Sequence, residues 1–91
     1  MNSSVKVEIL VTGRVQGVGY RFWIRNQAIQ LNLTGFVRNN PDQSVSIVAE
    51  GNPEALNVLI AQCRQGPPRC SVSDIEYSFQ EPVGYKEFNI R

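Results

Sequence analysis

The 91-residue chain has no histidine, two cysteines, one methionine and one tryptophan, and its nine basic and eight acidic residues leave a net charge of +1. Each shortage removes a class of function. Without histidine, Cys63 and Cys70 make no zinc set, and two thiols are too few for a disulfide scaffold. Both read as small buried hydrophobes, with a Cys63–Cys70 bridge as the lesser alternative. A net charge this small supplies no overall field for nucleic acid or an anionic membrane. There is no run of about 18 apolar residues, and the polar opening Met1-Asn2-Ser3-Ser4 passes straight into a strand pattern without an apolar leader core. The expectation is a cytoplasmic protein that binds neither nucleic acid nor membrane. Apart from two similar β-α-β halves there is no repeat, low-complexity tract or linker, so one domain over residues 1–91 is expected. Neither G-x-x-x-x-G-K-[ST] nor G-x-G-x-x-G occurs, which removes the usual nucleotide loops.

What the chain does have is glycine concentrated in one place. In Gly13-Arg14-Val15-Gln16-Gly17-Val18-Gly19-Tyr20-Arg21, three glycines fall between a strand-like run and a helix-like run. They let the backbone take positive φ and bring its N–H groups close to a ligand. The helix that follows points its first amides the same way and adds a partial positive charge, so phosphate or a similar anion is the expected guest. The candidate donors are the amides of Gln16, Gly17, Val18, Gly19 and Tyr20, with Arg21 as a bidentate clamp. Val15 and Arg21 bracket five residues, as the cysteine and arginine do in the C-x5-R cradle of cysteine phosphatases. An inert valine stands in the nucleophile's place, so the nucleophile comes from elsewhere, most simply water. Taken alone, such a turn also reads as a plain strand-to-helix connection. Seven of the nine cations are arginine, a further hint of anion handling.

The remaining pattern supplies a frame. Val5, Val7, Ile9 and Val11 alternate with polar partners as a half-buried strand, and Leu10 blurs its outer face. Tyr20, Ile24, Ala28 and Leu31 recur at helical spacing, and Asn32 is a candidate left-handed stop. Thr34 to Asn39 and Ser44 to Glu50 read as strands joined by Asn40-Pro41-Asp42-Gln43. Asn52-Pro53-Glu54 is a helix start, Leu56, Leu59, Ile60 and Cys63 share one face, and Gly66-Pro67-Pro68 ends that helix. Ile75, Tyr77 and Phe79 alternate in a further strand, and Phe88-Asn89-Ile90 suggests a short extra one. The order β-α-β-β-α-β predicts an α+β, ferredoxin-like sandwich: a four-stranded antiparallel sheet, two helices on one face, and a short C-terminal extra strand. The aromatic residues as a group read as core, and no strand shows an RNP-like pattern for stacking bases.

Along essentially its whole length the chain resembles the small acylphosphatases. Gly13 to Arg21 looks like the first signature of that family and Gly35-Phe36-Val37-Arg38-Asn39 like the second; Ala28, Leu31, Leu33, Gly66-Pro67-Pro68 and Phe88-Asn89-Ile90 fall where the family has similar residues. Tyr20, Asn32, Phe36 and Cys70 depart from the residues usual there. The resemblance implies hydrolysis of an acyl phosphate to a carboxylate and inorganic phosphate, with Arg21 as the catalytic phosphate-binding arginine and Asn39 holding the attacking water. Asn39 is neutral and carries both donor and acceptor, so it orients water without repelling the substrate. By its local sequence alone, before Asn40-Pro41, it reads as a turn residue first. Arg38 reads as a flanking charge, Arg14 as added positive potential, and Trp23 as packing at the helix edge.

The missing histidine fits this chemistry. An alkoxide leaving group needs a general acid, whereas an acyl phosphate releases a carboxylate whose conjugate acid has a pKa of about 4. No carboxylates cluster near the loop, so no metal and no cofactor are expected, and the protein is expected to act as a monomer. The alternative reading is a non-catalytic phosphate- or anion-binding regulatory module of the same fold. A third is a stand-alone relative of the acylphosphatase-like domain of larger carbamoyl-transferring proteins, against which the chain's length is expected to count.

Overall fold

The computed structural model describes residues 4–91; residues 1–3, most of the polar opening, lie outside the described part. The elements are β1 (Val5–Arg14), α1 (Tyr20–Gln30), β2 (Thr34–Asn39), β3 (Val45–Gly51), α2 (Pro53–Gln65), β4 (Ser71–Gln80) and β5 (Phe88–Ile90). Alternation decides what each strand buries. Val7, Ile9 and Val11 pair with Ala49, Ile47 and Val45 across β1 and β3, and all six are at most 2% exposed. Helix α1 lies over β2 and β5, and α2 over β4, β1 and β3, so both cover this one face. Tyr20, Ile24 and Ala28 of α1 meet Leu56, Leu59, Ile60 and Cys63 of α2 in the core. Each large aliphatic side chain there contributes roughly 1.5–3 kcal/mol of burial.

The sheet order is β4-β1-β3-β2-β5. The first four strands pair antiparallel in ferredoxin-like order, and β5 lies parallel to β2 through Gly35↔Phe88, Phe36↔Asn89 and Val37↔Ile90. The extra strand therefore completes a five-stranded mixed sheet. Local signals act where the sequence places them. Asn32 takes φ 60°, and α1 closes with Leu33 N–H donating to Ala28 O at 2.9 Å and Asn32 N–H to Ile29 O at 3.0 Å. The Asn52 side chain accepts from Glu54 N–H at 2.8 Å ahead of Pro53.

Three features differ from the sequence reading. β1 continues through Gly13 to Arg14 after a register shift at Thr12/Gly13, because Gly13, with φ +124°, lets the strand bulge against the Ser71 carbonyl where a Cβ has no room. The glycine-rich stretch thus begins inside a strand. The aromatics are not all core: Phe22 is 64% exposed, and Tyr77 and Phe79 are each 47% exposed along the edge strand β4. Finally Glu50, buried on the outer face of β3, accepts hydrogen bonds from the amides of Val83, Gly84 and Tyr85, pinning the segment before β5. That segment sets the Tyr85 ring edge-on to the Phe36 ring at 5.8 Å, and the Arg91 guanidinium lies 4.0 Å over the Phe36 ring. Cys63 and Cys70 are both free thiols.

Candidate functional site

The β1–α1 loop and the last residue of β2 meet at a cleft of about 170 Å³, lined by Val15, Gly17, Gly19, Tyr20, Arg21, Phe22 and Asn39. Val15 is 1% exposed and anchors the loop in the core. Gly17 and Gly19 have φ of 73° and 80°, and a Cβ at either would meet nothing within 4 Å. Glycine is therefore needed at both for its left-handed backbone and not for close packing. Gly19 is the N-cap of α1, no side chain caps the helix, and no acidic residue occupies its first turn. Its carbonyl accepts from Trp23 N–H at 3.0 Å. Among the described residues, no backbone carbonyl accepts from the amides of Gln16, Gly17, Val18, Gly19 or Tyr20. Unpartnered donors and the positive end of a helix are features that favour an anion.

Arg21, in the first turn of α1, adds a guanidinium to the lining, and among the described residues no carboxylate lies within ion-pair distance of it. Asn39 ends β2 opposite Val45, on the same sheet face as Val37, which turns it toward the helices. Its Oδ1 is buried and has no hydrogen-bond partner. A buried acceptor without a partner costs about 1–3 kcal/mol, and a water or ligand donor relieves that cost. Gln62 Oε1 is likewise unpaired, but it is not part of the lining.

The other expected site residues are placed as follows. Gln16 and Val18 do not line the cleft. Val18 packs against the core, and the Gln16 side chain reaches away to donate to Asn40 O at 2.9 Å and Ser44 O at 2.8 Å. Tyr20 lines the cleft with part of a side chain that is otherwise buried, and its hydroxyl donates to Cys63 O at 2.8 Å. Burial, reinforced by Cys63, holds that phenol far above its ordinary range, so it stays neutral. Burial also pushes the Cys63 thiol up to about 12, which makes it inert as a nucleophile.

Phe22 lines the cleft although the sequence reading gave it no role. Its position beside Arg21, off the Tyr20, Ile24 and Ala28 face, was the available signal. Arg14 is not in the lining, and Arg38 lies on the opposite sheet face in a larger groove of about 510 Å³ with Glu8, Leu10, Phe36 and Glu76. That groove is larger but holds none of the unpaired loop amides and neither Arg21 nor Asn39, so the smaller cleft is the candidate for anion chemistry. Among the described residues, no three of Asp, Glu and Cys group closely enough to hold a metal ion.

With this geometry established, comparison with known proteins is specific. The acylphosphatase family model matches residues 7–90. An acylphosphatase of Methylococcus capsulatus is 49% identical over 86 residues, covering 93% of this chain and 94% of the relative. One from Trichormus variabilis is 41% identical over 87 residues, covering 96% of this chain and 86% of the relative. The crystal structure of acylphosphatase from Bacillus subtilis superposes with a TM-score of 0.93 at 35% identity, covering 96% of this chain and 98% of that one. A full-length HypF, crystallised in a phosphate- and nucleotide-bound form, also reaches 0.93 at 30% identity, with 100% of this chain matched to 12% of that one.

Proposed function

The chain belongs to the acylphosphatase family, hydrolases acting on acid anhydrides, and from that premise we propose how its cleft carries out the reaction. The loop amides from Gln16 to Tyr20, with the Arg21 fork, bind the phosphoryl oxygens of a small acyl phosphate, and Asn39 holds the attacking water in line with the departing carboxylate. The observation that carries this reading is the unpartnered buried Oδ1 of Asn39, on the lining of the same cleft as Arg21. That oxygen accepts one hydrogen bond from the water and leaves the water's own lone pair free for phosphorus. Amides and guanidinium, fixed before the reaction, stabilise the charge on the equatorial oxygens, where a single such donor is worth about 10²–10³ in rate. The carboxylate leaves unaided because its conjugate acid has a pKa of about 4, so no side chain need act as an acid.

The reaction proceeds without a metal or cofactor in this reading, because the lining offers amide hydrogens and a guanidinium, which repel a cation. The exposed ring of Phe22 gives the acyl part an apolar surface that encloses nothing, which suits several acyl groups. We further read the protein as one domain acting as a cytoplasmic monomer on a small molecule, without nucleic acid or membrane. Two free thiols fit a reducing compartment, the net charge is +1, and no described helix is long and apolar enough to cross a membrane. Family membership does not favour the alternative of a non-catalytic anion-binding module.

The experiment is hydrolysis of an aromatic acyl phosphate in the presence of a chelator. Arg21→Ala is expected to lose both turnover and inhibition by inorganic phosphate; Asn39→Ala is expected to lose turnover and keep that inhibition. Equal loss of both in Asn39→Ala, or normal phosphate binding by Arg21→Ala, contradicts the assigned roles.

A further inference from the structure

We infer that Gln16 is a positioning residue, setting the distance between the phosphate cradle and the water held by Asn39. The inference rests on the reading of the cleft as the acyl phosphate site. The cradle and Asn39 belong to different elements: one is a loop after β1, the other the end of β2. What joins them is one side-chain amide. Gln16 Nε2 donates to Asn40 O at 2.9 Å and to Ser44 O at 2.8 Å, so both of its N–H groups are used on the two ends of the β2–β3 turn. Asn40 follows Asn39 directly, and the backbone of Gln16 lies between Val15, sunk in the core, and Gly17, on the cleft.

The turn does not need Gln16 to hold its own shape. Asn40 N–H donates to Ser44 O at 2.8 Å, Asn40 Nδ2 donates to Ser44 Oγ at 2.9 Å and to Ser46 Oγ at 2.8 Å, and Asp42 Oδ1 accepts from Ser44 N–H at 3.0 Å. A turn already braced this way is a rigid reference point. The cradle, in contrast, contains two glycines in left-handed conformation and five amides with no carbonyl partner among the described residues. Tying the less braced partner to the braced one is what an in-line reaction requires, since reacting atoms must sit about 3–3.5 Å apart and a 1 Å misplacement costs about 10²-fold. Glutamine suits the task because its amide offers two hydrogens from one nitrogen to two carbonyls; a carboxylate of the same shape offers none and would repel them.

The test is Gln16→Met, which keeps the length of the side chain and removes both donors. In the wild-type and variant chains one measures kcat and KM for an aromatic acyl phosphate, the inhibition constant of inorganic phosphate, and the thermal midpoint. A fall in kcat of about 10–100-fold is expected, with the phosphate inhibition constant within about threefold and the assay held well below the variant's midpoint. An unchanged kcat overturns the inference. So does an equal loss in kcat and phosphate affinity, which would make the Gln16 side chain a part of the phosphate seat and not a spacer. Gln16→Glu supplies a second readout should the methionine variant not fold. Its kcat relative to wild type is expected to recover as pH falls from about 7 to about 4.5, because the protonated carboxyl regains one donor; a ratio independent of pH overturns the inference. Absence of turnover in the wild-type chain removes the underlying reading and the inference with it, whereas wild-type turnover with an undisturbed variant removes only the role of Gln16.

Discussion

Replacing Tyr20 by phenylalanine removes a single oxygen from the core, and the structure specifies what that oxygen does. Its hydroxyl donates to Cys63 O at 2.8 Å. That carbonyl lies in the last turn of α2, where its helical donor would be the amide four residues on, and that residue is Pro67, which has no N–H. The neighbouring carbonyl of Gln62 is served by Gly66 N–H at 2.8 Å. Tyr20 therefore supplies from α1 the hydrogen that proline denies α2. Tyr20→Phe leaves the ring in place, so no cavity forms beyond the missing oxygen, but it strands a buried acceptor at a cost of about 1–2 kcal/mol. For a domain of this size that lowers the thermal midpoint by roughly 5–15 °C. Circular dichroism melts of the two proteins measure it, with kcat at 25 °C as control, and kcat should hold within about twofold because the hydroxyl is committed to α2. A midpoint unchanged or raised in Tyr20→Phe would refute the argument, and so would lost turnover at unchanged stability, which would put the hydroxyl in the reaction.

Alkaline pH tests the same pair. Burial raises both the Cys63 thiol, from 9.0 to about 12, and the Tyr20 phenol above its ordinary 10.0, so their contribution is complete below about pH 9 and fades as pH rises toward the folded values. The unfolded chain then binds fewer protons, and stability falls by up to about 1.4 kcal/mol per pH unit per group; urea midpoints that stay flat to about pH 10.5 would contradict this. Phe22→Ala should change stability by less than about 0.5 kcal/mol, since the ring is mostly in solvent. It should raise KM for an aromatic acyl phosphate several-fold with phosphate inhibition unchanged, and equal KM in the two proteins would remove the acyl contact. Glu50→Ala strips three amides of their carboxylate and should cost roughly 2–3 kcal/mol. Hydrogen exchange at Val83, Gly84 and Tyr85 should speed up with it; unaltered exchange there would mean that the β4–β5 segment is held by other contacts.

Features governed by near neighbours were legible in the sequence. Asn32 needed only its tolerance of positive φ, and Asn52-Pro53-Glu54 only the free amides of a helix start. Arg21 was legible from its place at the end of the glycine-rich turn and Asn39 only through the family resemblance, and the structure brings both to one cleft. The bonds that arrange that cleft were not legible. Gln16 looked like a backbone donor because nothing local shows that its side chain finds carbonyls 24 and 28 residues away. Glu50 looked like an ordinary outward strand residue, since its partners come 33 to 35 residues later. Phe22 was counted as core by composition, whereas its exposure depends on where the helix surface ends and the cleft begins. The bulge at Gly13 depended on Ser71, on the neighbouring strand β4 but far along the chain.

The strand order also dictates when the cleft becomes usable. β1 sits between β3 and β4, so its neighbours are residues 45–51 on one side and 71–80 on the other, with Lys6 opposite Gln80. A nascent chain that has emerged only through α2 already carries Arg21, Asn39 and every loop amide, yet one edge of β1 is still unpaired and Val7, Ile9 and Val11 lack part of their cover. The floor on which the loop rests is finished only when β4 arrives. Pairing at such separation must bear the entropy of closing a long loop before any contact compensates it, which slows folding relative to a chain of local contacts. Synthesis that stalls after α2 would therefore release a chain with all the chemistry and no rigid place to perform it, its open β1 edge available to another strand.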